Sequence, residues 1–334
     1  MIGNSIVSCI GQTPLVSLNR LFPQKNLDII AKLEFLNPGG SVKDRPASYI
    51  VDKGLQDGTI DQNSHLIESS SGNFGIALAM IAKLYQLEFT CVVDPKISPT
   101  NRRILELLGA NIDMVHEPDE QGGYLNSRIQ RVQELLQIIP QSKWLNQYAN
   151  ELNWEAHYYK TSNEILADLH GSLDYLILSV STTGTIMGIS RRLREEFPYL
   201  QIIAVDAAGS VIFGGPSGPR KIPGIGASRV PELLNSVEID EVVYVSDQEA
   251  VQGCRDLMAH EGIFAGGSSG SVVAAIQKLL PSLPSSCRIL TLLPDRGERY
   301  LDLVYDDEWA AQLESSTLQL ASTYLNEHSV VSNS

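Results

Sequence analysis

The chain has 334 residues and a formal charge of −14, from 25 Lys+Arg against 39 Asp+Glu. That length suggests two domains at roughly 100–200 residues each, and 43% hydrophobic residues exclude disorder throughout the chain. The acidic balance excludes general binding to nucleic acid or an anionic membrane, which need an excess of Lys and Arg, but it leaves room for a local basic pocket.

Strands and helices alternate along the sequence. A strand is predicted at 29–33 and a helix at 42–55, ending near Gly58. Leu66 and Ile67 lead into a Ser/Gly turn, and a helix follows at 74–85. A β-branched strand is predicted at 89–93, a helix at 99–108 stopped by Gly109, a strand at 111–115 and a helix at 124–139. The alternation resumes after Trp144. An apolar strand is read at 175–180 and a helix at 185–197 stopped by Pro198. Further strands are read at 202–205, 242–245 and 289–293. Pro and Gly concentrate at 213–225, read as a mobile surface loop or lid. Residues from about 323 are read as a polar, frayed tail. Such alternation implies βαβ units with a parallel sheet, and ligands then sit beyond the carboxyl ends of the strands.

The four cysteines, Cys9, Cys91, Cys254 and Cys287, are far apart in sequence, and the six histidines form no pair at metal-ligand spacing. This pattern points to reduced thiols in a cytoplasmic protein and to no metal site. The longest uninterrupted apolar stretch, 76–82, is far too short to span a membrane.

Four segments carry chemistry. In Asn37-Pro38-Gly39-Gly40-Ser41-Val42-Lys43-Asp44-Arg45 the glycines allow a tight turn, Ser41 can cap the next helix, and Lys43 falls in its first turn. There the helix dipole favours the neutral amine, as a Schiff-base or general-base lysine requires. The other reading is a solvated lysine. The turn at Ser69, Ser70, Ser71, Gly72 and Asn73 is either a carboxylate or phosphate site at a helix N-terminus or an ordinary cap. Ser181, Thr182, Thr183, Gly184 and Thr185, between an apolar strand and a helix, form a phosphate cup. No lysine follows at the spacing of a nucleotide-triphosphate loop. Gly266, Gly267 and Ser268 either present a hydroxyl to a ring nitrogen or cap a helix. A lysine, a phosphate cup and a ring-nitrogen partner together fit pyridoxal phosphate.

The sequence resembles the fold-type II pyridoxal-phosphate enzymes of the cysteine synthase/cystathionine β-synthase family, from Gly11-Gln12-Thr13-Pro14-Leu15 to Arg296-Gly297-Glu298-Arg299-Tyr300. The resemblance implies an α/β fold of two domains, with parallel-rich sheets. The large one would comprise 1–39 and 145–322, the smaller mobile one 40–144, and 323–334 would be the tail. It implies Lys43 as Schiff-base lysine, Asn73 on the cofactor's ring hydroxyl, the 181–185 loop on its phosphate and Ser268 on its pyridine nitrogen. Ser70, Ser71 and Gly72 would bind the substrate carboxylate, assisted by Gln147. A serine at the ring nitrogen makes a weaker electron sink than an aspartate would, which suits β-replacement.

Two departures separate the chain from a plain cysteine synthase. The family's glycine-rich G-T-G-G-T loop carries side chains at Ser181 and Thr183, and Phe74 stands where the S-G-N-T pattern has threonine. With the segments 94–101, 146–150 and 223–229, these features resemble the branch that joins O-phospho-L-serine and L-glutamate through an α-aminoacrylate. That reaction releases phosphate and forms N-(2-amino-2-carboxyethyl)-L-glutamate, a precursor of 2,3-diaminopropionate for siderophores or peptide natural products. Arg128, Tyr148, Ser181 and Arg229 are the candidate partners for substrate anions. Arg128 alternatively lies on a helix surface, and Arg229 alternatively pairs with Glu232. The resemblance further implies a homodimer and, in the same pathway, a downstream oxidoreductase. The same-fold alternative is an O-acetylserine or O-phosphoserine sulfhydrylase. The alternative of another class is a non-catalytic amino-acid sensor or partner-binding protein.

Overall fold

A computed structural model describes residues 3–119 and 123–313. The tail expected at 323–334, and the end of the large unit at 322, lie outside the described residues. Two sheets organise the chain. The larger has six strands in the order β1-β2-β10-β7-β8-β9: β1 Leu15–Ser17, β2 Leu27–Leu33, β7 Tyr175–Ser179, β8 Gln201–Ala207, β9 Glu241–Val245 and β10 Cys287–Leu293. Only the edge strand β1 runs antiparallel to its neighbour. The smaller sheet is all parallel, in the order β5-β4-β3-β6: β3 His65–Ser69, β4 Glu88–Val93, β5 Asn111–Met114 and β6 Ser142–Trp144. Its four strands therefore come from one internal stretch, and the larger sheet draws on chain from both sides of it.

Parallel strands covered on both faces are apolar along their length. Strand β4 is buried at every position after Glu88, and β10 at every position except Arg288. One face of the larger sheet packs through Ile29, Ile203 and Ile289 with helices α8 (Asp247–Asp256) and α9 (Gly267–Leu279). The other packs through Leu176, Ile202 and Leu290 with α6 (Ser162–Asp168) and α7 (Gly184–Glu196). The smaller sheet is covered by α2 (Asn73–Tyr85) and α3 (Pro99–Leu108) on one face and α4 (Leu125–Ile138) on the other.

Local chemistry explains several boundaries. Helix α3 starts where Ser98 accepts from the Asn101 N–H with Pro99 next, and it stops at Gly109 in the left-handed region. Ser246 and Glu249 form a reciprocal cap on α8. Helix α1 spans Asp44–Asp57, beginning later than the expected 42–55, and ends at Gly58 with φ 78°. Its start is pinned from below by buried charges. Arg45 grips Glu34 and Glu164, and Lys32 reaches Glu164 at 3.0 Å. Removing one partner from such a buried set costs about 3–5 kcal/mol.

The loop at 213–225 is anchored in its second half, which corrects the reading of a free lid. Ile222 and Ile225 are 3% and 4% exposed, and the Gly226 N–H donates to Val180 O at 2.7 Å. Two buried isoleucines tie this segment to the larger core, so it forms a wall.

Candidate cofactor and substrate site

Most of the chemistry-bearing residues gather at carboxyl ends of strands, on the loops after β2, β3, β6, β7 and β10, and Ser268 joins them from the first turn of α9. After β2 the chain turns at Gly39 and Gly40, and Ser41 pairs with Asp295, just beyond β10. The Val42 N–H donates to Pro294 O at 2.8 Å, which delivers the next residue, Lys43, to the end of β10. Lys43 is the capping residue of α1, one position before its first turn, and Ser41 Oγ accepts the Lys43 backbone N–H at 3.2 Å. Burial lowers the Lys43 amine from its ordinary 10.5 to about 8, against the opposing pull of the Asp295 carboxylate. The lowered proton affinity expected from the helix dipole comes mainly from desolvation of the amine.

Lys43 Nζ lies 3.5 Å from Thr182 Oγ1, which joins the lysine to a loop 139 residues away. The 181–185 loop forms the entry to α7. Thr182 and Thr183 are buried, and Thr183 caps the helix with φ 63°. A β-branched residue at positive φ is a genuine outlier, and such strain concentrates at functional sites. The Thr183 Oγ1 is buried with no hydrogen-bond partner. Ser181 Oγ donates to Gly226 O at 3.1 Å, so its proton is held by the wall loop. From below, Asn153 Nδ2 donates to Thr182 Oγ1 at 3.4 Å, and the His157 ring meets Thr185 Oγ1 at 3.2 Å.

Asn73 opens α2 and faces the end of β10. Its Nδ2 donates to Asp295 Oδ2 at 2.7 Å, and its Oδ1 accepts from Arg299. Tyr300 OH donates to the same Asp295 oxygen at 2.6 Å, and Asp295 Oδ1 is buried and unpartnered. Burial pushes the Asp295 carboxyl up, opposed by these hydrogen bonds and by the Arg299 and Lys43 charges. Ser268 is 4% exposed in the first turn of α9, and its loop is tied in because the Gly266 N–H donates to Asp295 O at 3.0 Å. Asp295 thus touches the Asn73 and Ser268 loops and acts electrostatically on Lys43. Sequence reasoning missed it. Its position directly after β10 was the available signal.

The 70–73 turn is more open. Ser70 Oγ accepts from the Gly75 N–H at 3.0 Å, and a side chain added at Gly72 would meet nothing within 4 Å. Ser71 Oγ accepts from Arg128 at 3.4 Å, and Arg128 also pairs with Asp94 at 3.3 Å while its side chain is 13% exposed. Arg128 is therefore a resident of this turn and not a helix-surface arginine. Gln147 Nε2 donates to Ser69 O at 3.2 Å, supporting the turn from behind. Arg229 pairs with Glu232 and lies over the Tyr148 ring at 5.8 Å. The Tyr148 phenol is pushed up by desolvation and drawn back by Arg128, Arg229 and Arg220. Arg220, the third of these cations, was not singled out from sequence. It donates to Ser228 Oγ at 2.6 Å and keeps a buried, unpartnered Nε. Behind the turn, burial raises the Glu68 carboxyl to about 7.

The family model described as "Pyridoxal-phosphate dependent enzyme" matches residues 6–295. The chain belongs to this family. Solved structures agree. An O-acetylserine dependent cystathionine beta-synthase from Helicobacter pylori is 35% identical, with TM-score 0.85 over 90% of this chain and 98% of that one. O-ureido-L-serine synthase is 32% identical, with TM-score 0.85 over 93% and 100% of the two chains. A hydrogen sulfide-producing enzyme from Fusobacterium nucleatum is 30% identical, with TM-score 0.84 over 90% and 100%.

The protein is thus a pyridoxal-phosphate-dependent enzyme with the two-domain fold-type II architecture, of the β-replacement type found in cysteine synthase and cystathionine β-synthase. The site fits that cofactor. It offers an amine with lowered affinity for its proton and an orphaned buried hydroxyl, Thr183 Oγ1, at the N-terminus of a 13-residue helix. Among the described residues no helix is long and apolar enough to cross a membrane, and no cluster of three or more His, Cys, Asp or Glu could hold a metal.

Proposed function

We propose that this enzyme joins O-phospho-L-serine and L-glutamate to N-(2-amino-2-carboxyethyl)-L-glutamate and phosphate. The observation that carries the reading is a set of guanidinium groups near the open 70–73 turn: Arg128 lies 3.4 Å from Ser71 Oγ, Arg229 lies over the Tyr148 ring at 5.8 Å, and Arg220 keeps a buried, unpartnered Nε. Sulfide needs no such set, whereas glutamate brings two carboxylates and phosphoserine brings a phosphate.

In this reading Lys43 holds the cofactor, the 181–185 loop binds its phosphate, Asn73 its ring hydroxyl and Ser268 its ring nitrogen. The cofactor supplies a sink for the electron pair left when the substrate Cα–H bond breaks. Ser70, Ser71 and Gly72 hold the carboxylate of phosphoserine, with Gln147 behind them. Lys43, lowered to about 8, is partly free base near neutral pH, takes the Cα proton and later returns it. The Cβ–O bond to phosphate breaks, and the glutamate nitrogen forms the new bond to Cβ. The ammonium proton lost by glutamate leaves with phosphate or solvent. The working protein is a cytoplasmic homodimer in a route to 2,3-diaminopropionate, where an oxidoreductase acts next.

Mass spectrometry of products from phosphoserine plus glutamate tests the proposal, with O-acetylserine plus sulfide in parallel. Expected is the glutamate adduct with one phosphate per turnover. Cysteine as the fast product, with no glutamate adduct, overturns it. Cysteine would favour the sulfhydrylase reading, which the O-acetylserine-dependent and hydrogen sulfide-producing neighbours support.

A further inference from the structure

Beneath the phosphate loop the helical segment after β6 contains a π-helical turn. Helix α5 (Leu152–Ala156) runs into the π turn His157–Thr161 and continues as α6. Such insertions in α-helices recur at functional sites. This one places His157, fully buried, between two threonines. Its Nδ1 lies 2.9 Å from Thr161 Oγ1 and its Nε2 lies 3.2 Å from Thr185 Oγ1. Helix α7 approaches closely because residue 188 is glycine. A Cβ there would lie 2.1 Å from Trp154 O and 2.7 Å from His157 Cβ. One turn earlier on the same face, Asn153 reaches Thr182. The phosphate loop therefore rests on two side chains four residues apart.

The protons of this contact can be counted. Burial and the Lys43 and Arg45 charges hold the ring in its neutral form. A neutral imidazole has one N–H and one lone pair, while each hydroxyl has one proton to give. Either Thr185 donates to Nε2, and its proton is spent on the ring, or Nε2–H donates to Thr185 Oγ1 and the Thr185 proton is free to point into the loop. A phosphate offers only acceptors. Only the second arrangement gives it a donor from Thr185, with Thr161 donating to Nδ1.

We infer that His157 is a positioning residue which, as the Nε2–H tautomer, donates to Thr185 and so commits the Thr185 hydroxyl proton to the cofactor phosphate. The inference rests on the assignment of the 181–185 loop to that phosphate. A required tautomer and a proton direction are thereby added to a histidine buried beneath the loop, between Thr161 and Thr185.

Two measurements test it separately from the loop assignment. In protein labelled with ¹⁵N at its histidines and loaded with pyridoxal phosphate, the His157 ring is expected to show a protonated Nε2 and a bare Nδ1. The opposite tautomer overturns the inference without any variant. In the second measurement, the cofactor dissociation constant and the ³¹P resonance of its phosphate are read in three variants. Thr185→Val should weaken binding about tenfold, the weight of one hydrogen bond to a charged group, and shift the resonance. His157→Gln, whose amide reproduces the Nε2 donor, should stay within about threefold of the parent, and His157→Asn, which cannot reach Thr185, should resemble Thr185→Val. Equal behaviour of the Gln and Asn variants, with Thr185→Val still shifted, overturns the role of His157. An unshifted ³¹P resonance in Thr185→Val instead overturns the loop assignment on which it rests.

Discussion

The two loops proposed to bind anions are built differently. The 181–185 loop is supported from several directions: Ser181 on Gly226, Thr182 on Asn153 and Lys43, Thr185 on His157. The 70–73 turn is held by helices and a loop packed on its own sheet, through Gly75, Asn101, Arg128 and Gln147, and at Asn73 it reaches Asp295 and Arg299 beyond the larger sheet; it faces open space at Gly72. A cofactor phosphate stays through every turnover and rewards a preorganised cradle. A substrate must enter and leave, which the room before the 70–73 turn on the smaller sheet would suit. In the proposed function, permanence falls on the 181–185 loop and Asn73, and exchange on Ser70, Ser71 and Gly72.

Lys43→Ala should have the largest effect, because in the proposed function the lysine serves both sides. Turnover should fall roughly a thousandfold or more, and borohydride should no longer fix cofactor to the chain. Cofactor trapped on another lysine would break the assignment. Next, Asp295→Ala removes the acceptor shared by Asn73 and Tyr300 and should cost about 3–5 kcal/mol of apo-protein stability in urea melts. A loss under 1 kcal/mol would show that Asp295 does not hold the Asn73 and Ser268 loops together.

Substitutions in the two loops should then part company. Arg128→Met should raise the substrate KM about tenfold, the effect of losing a charged hydrogen bond, and leave the bound-cofactor spectrum unchanged. Thr183→Gly should do the reverse. It relieves a positive-φ conformation worth about 1–2 kcal/mol, partly offset by glycine's greater unfolded freedom, so the apoprotein gains a little stability while cofactor affinity falls. A changed KM with unchanged cofactor affinity would erase the distinction between the loops.

The smallest effect concerns pH. Burial raises Glu68 from 4.5 to about 7, so the folded state binds more protons than the unfolded state between these values. Its stabilising contribution is present at low pH and is lost as pH rises through about 7. Glu68→Gln should flatten the fall in apoprotein stability between pH 4.5 and 7, read as the urea midpoint against pH. An unchanged slope would assign the fall to Asp44 and Asp206, which burial raises to about 6.

Much of the candidate site is legible in the sequence because glycines, prolines, hydroxyls and β-branched runs act locally. The strand ends and the loops at 37–45, 69–73, 181–185 and 266–268 can be found from that chemistry alone. The partners of those residues cannot. Asp295 meets Asn73 across 222 positions, Lys43 meets Thr182 across 139, and Arg220 reaches the Tyr148 side only through the folded wall loop. The same holds for magnitudes. The sequence places a lysine at a helix start, yet its lowered proton affinity comes mainly from burial, a property of the assembled sheets. His157 is one of six histidines until a π turn and the close approach at Gly188 set it against Thr185. Local conformational preference therefore determined which residues lie at strand ends. Only long-range packing decided which of them touch, how dry they are and which way their protons point.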